Sequence, residues 1–251
     1  MDWNTLTTPQ LYRLAAVALT APNSSYFLKR ATEILYRIRI VVQHNKQKAR
    51  YLVKSNIIGF PAKAYDLLEL HDILHSLDWL LDAQRLQVQS QRTHPIYSVI
   101  RTPHFGKLLA PSPELTNITL GQYLLAEDLR ATNAPLEQFL AVLYKPAKKK
   151  EEPNYELLAK EIKSVLKNDS PELLAHLWWW EGNLRYLKEC FPNLFSTPDP
   201  DPDTQPLRKE LPSTFIYRLA ANAPEKIQQY QNLNLYEALR LFSETLNTEH
   251  T

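Results

Sequence analysis

The chain has 251 residues, a formal net charge of +2, 44% hydrophobic residues, four glycines, one cysteine and one methionine. That apolar content sustains one large core or two modest ones, and the wide separation of Gly59, Gly106, Gly121 and Gly182 excludes the phosphate-cradling glycine loops of most nucleotide-dependent enzymes. The lone Cys190 excludes an internal disulfide framework or a cysteine-based zinc site within one chain, and it fits a reducing, cytoplasmic compartment; no cofactor is implied.

Thr8-Pro9 starts a first helix running to about Leu19, ended by Ala21-Pro22-Asn23. Its Arg13 followed by LAAVALTA imitates a signal peptide, but Asp2 precedes it and the apolar run is short, so it reads as a core helix. No stretch reaches the ~18 apolar residues that span a membrane, so no membrane partner is expected. From Ser25 to about Ser55, Phe27, Ile34, Leu35, Ile38, Val41 and Val42 give an apolar helical face. Arg37-Ile38-Arg39-Ile40 alternates as a strand would, but length and flanks favour helix. A helix from Pro61 to about Arg85 carries Leu67, Leu70, Leu74, Leu77 and Leu81 at spacings of three and four, the seam of helix-on-helix packing. Between Ser90 and Asn117, Pro95, Pro103, Pro111 and Pro113 prevent a long helix and predict irregular chain; PIYSVI has the composition of a short strand.

At Thr119 the T-L-G-Q sequence is a capping box. It opens a helix with Leu120, Tyr123 and Leu124, and by extension Leu125, on the buried side, and with Gln122, Glu127, Asp128 and Arg130 toward solvent. Thr132 to Pro135 breaks the helix, and Leu136, Phe139, Leu140 and Leu143 carry a second one to the Lys145-Pro146 stop. After a charged loop, Tyr155 to Lys167 is helical, and Ser170-Pro171 opens a helix that ends in LAHLWWW.

The order TLGQYL, ED, FLAVLYKP, then KKKEEPNYE and LAHLWWW resembles small helical proteins of the tail-assembly-chaperone type in tailed phages, over about residues 115–190. The resemblance implies a non-enzymatic phage assembly or virion protein, working in the bacterial cytoplasm or the virion, whose partners are phage structural or assembly proteins. The long N-terminal region lies outside it. TPDPDPDTQP reads as an extended acidic linker. The predicted organisation is therefore a main helical domain over 1–195, a linker over 196–210 and a C-terminal helical segment over 211–251, its last helix opened by Asn234 with Glu237 placed for a capping box. The fold class expected is all-α, and oligomeric state is not legible.

Three groups of residues compete for function. Trp178, Trp179 and Trp180 spread over more than half a helix circumference. Trp180 continues with Leu173, Leu177, Leu184 and Leu187, and Trp178 follows Leu174. Trp179 falls beside Glu172, His176 and Asn183 and is expected to be partly exposed or to cover a partner; burial beneath the 90–117 segment is the alternative. These tryptophans, with Tyr123 and Tyr144 of the central hairpin, are the candidate protein-binding residues. Between Lys29 and Lys54 eight basic residues face one acid, Glu33, so Arg37, Arg39, Lys46, Lys48 and Arg50 are the alternative, a nucleic-acid phosphate contact, with Tyr26, Tyr36 and Tyr51 available to stack on bases. Pairing with the acidic stretch Asp66–Asp82 is the bland reading of that charge. His71, His75 and Asp78 share a helical face with zinc-ligand spacing, but a solvated polar face is expected there in any case, and no metal is assigned. No serine or cysteine has an assignable base, so the chain reads as a protein-binding protein rather than an enzyme.

Overall fold

The computed structural model describes residues 2–45, 48–55, 63–65, 72, 77–81, 89–148, 154–167, 169–195 and 224–249. In chain order its elements are α1 (Thr8–Thr20), α2 (Ser24–Leu35), β1 (Ile38–Asn45), β2 (Lys48–Ser55), β3 (Lys63–Tyr65), β4 (Val99–Thr102), β5 (Gly106–Leu109), α3 (Leu120–Ala131), α4 (Leu136–Leu143), β6 (Lys145–Pro146), α5 (Tyr155–Val165), α6 (Ser170–Cys190), α7 (Pro192–Phe195), α8 (Pro224–Asn232) and α9 (Leu235–Glu249). The chain is thus predominantly helical, but two three-stranded antiparallel sheets correct the all-α expectation. Two compact units divide it: Met1–Arg92 with Asp169–Gly182, and Thr93–Asn168 with Asn183–Thr251. The expected linker 196–210 lies outside the described residues.

In the first unit Thr7 caps α1, its N–H donating to Gln10 Oε1 at 2.9 Å, and the helix buries Leu11, Leu14 and Ala15. Asn23 caps α2 by accepting the Tyr26 N–H at 2.8 Å; Phe27, Ala31 and Leu35 face inward. Arg37, at φ 53, then turns the chain out of helix. The long helix expected over 25–55 is therefore α2 followed by a hairpin, β1 pairing with β2 from Ile38↔Ser55 to Asn45↔Lys48. The alternation at 37–40 was the informative signal: Ile40 is 4% exposed while Arg39 faces solvent, the period of a half-buried strand rich in β-branched residues. The helix expected over 61–85 is corrected at both ends, since Lys63–Tyr65 extends the sheet and Asp78–Leu80 is a single 3-10 turn. Leu67, Leu70 and Leu74 lie outside the described residues; Leu77 and Leu80 are fully buried. The core gathers Trp3, edge-on to Trp79 and Trp178 at 5.8 and 5.4 Å, above the buried Arg92, whose guanidinium donates to the carbonyls of Trp3 and Leu6 at 2.8 and 3.2 Å.

In the second unit β4 and β5 form a hairpin, Val99↔Leu109 to Thr102↔Gly106, and Lys145–Pro146 adds a short third strand. The irregular chain expected over 90–117 is corrected there, because Pro103 sits in the turn and Pro95, Pro111 and Pro113 bracket the strands without entering them. Gly106 supplies the left-handed residue, φ 68, that closes the turn. Thr119 and Gln122 form the capping box of α3, with bonds of 3.1 and 3.2 Å. Gln122 Nε2 also donates to the Val142 carbonyl at 2.8 Å, tying α3 to the end of α4. Between them Asn133, at φ 53, makes the reversal, a conformation Asn tolerates. Leu136, Phe139, Leu140 and Leu143 are all buried. Glu127, expected in solvent, is buried and paired with Arg130 at 2.9 Å.

Candidate functional site

Helices α3, α4 and α5 meet around a groove of about 520 Å³. Leu125 and Leu129 line it from α3, Gln138 and Val142 from α4, and Tyr155 and Ala159 from α5. Leu125 and Tyr155 are 41% and 42% exposed, so two large apolar side chains stand at its edge in water. Charge sits at the margin: Lys163 lies 3.3 Å from Glu137, while Lys160 and Glu156 are exposed. A second hollow of about 350 Å³, lined by Gly121, Asp128, Gln231 and Asn232 among others, shares Leu125, Val142 and Tyr155 with the first. The apolar side chains of the groove can bury area against a partner.

Neither large edge residue was singled out from the sequence as exposed. Leu125, expected on the buried side of its helix, stands in water, a correction to that expectation. The available signal was Leu125 and Leu129 four apart, a second apolar strip beside Leu120, Tyr123 and Leu124, answered by Tyr155 and Ala159 four apart on α5.

The aromatic residues expected at a protein interface lie elsewhere. Trp178, Trp179 and Trp180 are all buried, and the expected exposure of Trp179 is corrected: its ring packs edge-on to His176 and Trp180 at 6.3 and 6.1 Å. The physical reason is that α6 is buried round more than one stripe, since Trp178, Trp180 and Leu187 of the leucine pattern are buried as well. Glu172, His176 and Asn183 are buried with Trp179, whereas Leu173 is 42% exposed. The buried Glu172 accepts the Tyr12 hydroxyl at 2.9 Å. Tyr123 and Tyr144 are core residues as well, the Tyr144 hydroxyl donating to the Tyr97 carbonyl at 2.7 Å. Burial pushes both phenols well above their usual range.

Arg37 and Arg39 are exposed at the α2–β1 junction, Lys48 and Arg50 lie on strand β2, and Lys46 is outside the described residues. His71 and His75 are outside them too; among the described residues no group of three His, Cys, Asp or Glu could hold a metal. Among the described residues the His104–Glu161 pair is accounted for structurally. Glu161 of α5 accepts the N–H groups of His104 and Phe105 at 3.1 and 3.4 Å and contacts His104 Nδ1, clamping the β4–β5 turn. Burial pushes the Glu161 carboxyl up, but these donors, with Thr102, outweigh it and hold it below its ordinary value. No family model, curated protein or solved structure matches the chain. Among the described residues no helix is long and apolar enough to cross a membrane.

Proposed function

We propose that the chain is a protein-binding protein that takes the apolar face of a partner helix into the groove between α3, α4 and α5. The observation that carries this reading is the exposure of Leu125 and Tyr155 beside Leu129, Val142 and Ala159 in one concave surface. A helix laid in a groove contributes anchors at helical spacing. Because the Lys163 charge is engaged by Glu137, Lys160 is, among the described residues of the lining, the cation placed to meet an acidic flank on that helix. The resemblance of residues 115–190 to tail-assembly-chaperone-type proteins points to the same stretch. It makes the partner a phage structural or assembly protein and the chain a phage or prophage-derived assembly factor or virion component.

The test is co-expression of the full chain with the products of its neighbouring genes. A tail or capsid protein should co-purify with it, and Leu125→Asp, a change at an already exposed position, should raise the Kd at least about tenfold while the melting temperature stays put. Undiminished binding by Leu125→Asp sinks the groove reading.

A further inference from the structure

We propose that the arginine-rich face of the first unit binds the sugar–phosphate backbone of nucleic acid. This inference is independent of the protein-binding groove, which lies in the second unit. A hollow of about 1000 Å³ runs between α1, α2 and the start of β1, and four guanidinium groups line it: Arg13, Arg30, Arg37 and Arg39. Among the described residues the lining has one carboxylate, Glu33, and it is already engaged, since it pairs with Arg30 and accepts the Ile40 N–H at 2.9 Å. Its charge is spent on joining α2 to β1. Among the described residues no ion pair neutralises Arg13, Arg37 or Arg39, all of which are exposed. A concave surface carrying three guanidinium groups with no ion-pair partner among the described residues favours an extended polyanion over an isolated small one.

The β1–β2 hairpin starts at this hollow, whose lining ends with Ile38 and Arg39. Strand positions alternate between faces, and antiparallel partners share a face. The register sets Arg39 opposite Lys54, Gln43 opposite Arg50 and Asn45 opposite Lys48, so these positions fall on one face, away from that of the buried Ile40. Neither strand contains an Asp or Glu. A two-stranded ribbon of this kind is narrow enough to enter the major groove of duplex DNA. The backbone of Arg37 adds a second observation: it holds a left-handed conformation, φ 53, uncommon for a residue with a side chain, at the edge of this hollow.

The experiment measures binding of the full chain to a fluorescent mixed-sequence duplex and to the matching single strand, between about 50 and about 200 mM salt. One or both oligonucleotides should bind, with affinity falling steeply as salt rises. The double variant Arg37→Asn/Arg39→Gln keeps a residue that tolerates the left-handed backbone, and both positions are exposed, so its melting temperature should match that of the parent. It should bind at least about tenfold more weakly at low salt, with the log–log salt slope reduced by about 2 on duplex. Arg13→Gln, on a different element, should reduce the slope by about 1, and Lys107→Gln, at an exposed position in the other unit, should leave it unchanged. Failure of both oligonucleotides to bind at low salt overturns the proposal, as does an unchanged slope in the double variant. Binding to phosphatidylserine vesicles with no binding to either oligonucleotide also overturns it.

Discussion

A methyl group on residue 182 would lie 2.3 Å from the carbonyl oxygen and 2.6 Å from the amide nitrogen of Arg92. Helix propensity alone favours alanine over glycine in the middle of α6 by about 1 kcal/mol. The clash decides the sign, because the obstacle is backbone and cannot swing aside. Gly182→Ala should therefore destabilise the protein by at least about 2 kcal/mol in urea unfolding. A neutral or stabilising result would mean that the 89–92 segment yields easily. Gly182 shows what a residue's identity reveals by itself. In a chain with four glycines, one in a helix marks a close approach, but its neighbour, ninety positions away in sequence, is invisible until the chain is folded.

Among the elements, the last helix is held by its own cap. Asn234 accepts the Tyr236 N–H at 2.9 Å, while its amide donates to the Thr116 carbonyl at 2.8 Å. The flanking backbone completes a two-way bridge, Leu120 N–H to Leu233 O and Leu235 N–H to Ile118 O, both at 3.0 Å. The N-termini of α3 and α9 are thus joined to each other, and the Tyr236 hydroxyl reaches the Glu114 carbonyl at 2.7 Å. Asn234→Ala should cost about 1–2 kcal/mol, and Asn234→Asp, which keeps the cap acceptor but loses the amide donor, should fall between. Urea titrations of both variants followed by far-UV circular dichroism check the order. The Thr119–Gln122 box is legible from its spacing, and so is Asn234 as a cap position, although the cap bond it makes is to the Tyr236 N–H and not to Glu237, three residues on. That the two caps pair with each other is not. The β1–β2 hairpin is the converse case: its alternation was visible, but without a glycine turn the length of the segment argued for helix, and cross-strand pairing over 38–55 decided otherwise.

At the scale of the whole molecule, acid should act on the two units in sequence. All five tryptophans, Trp3, Trp79, Trp178, Trp179 and Trp180, belong to the first unit, so fluorescence excited selectively at tryptophan reports on it alone. Burial, and then the nearby Arg92 charge, lower the His176 imidazole from its ordinary 6.5 to about 3, so it is neutral when folded. The unfolded chain takes up that proton first. The stability it protects is complete above about pH 6.5 and is lost as pH falls toward 3. The lowered carboxyl of Glu161, in the second unit, contributes stability that is lost only below its ordinary 4.5. Between pH 6.5 and 4.5 the urea midpoint read by fluorescence should fall, and in His176→Gln that slope should flatten. A midpoint independent of pH in the parent over that range would contradict this.

By itself the sequence determined whatever depends on neighbours a few positions away: the starts of α1, α3 and α9, the reversal at Thr132–Pro135, the buried face of α4 and the basic excess around Arg37 and Arg39. Tertiary structure decided which apolar strips are covered. On α6 it buried Glu172, His176 and Asn183 and left Leu173 in water; the Tyr12 hydroxyl donates to Glu172, and the Asn183 amide donates to the Thr93 carbonyl at 3.3 Å, satisfying polar groups that helical periodicity assigns to solvent. On α3 and α5 it left Leu125 and Tyr155 open. Periodicity states how many faces of a helix are apolar, while only packing settles which of them finds a partner within the chain.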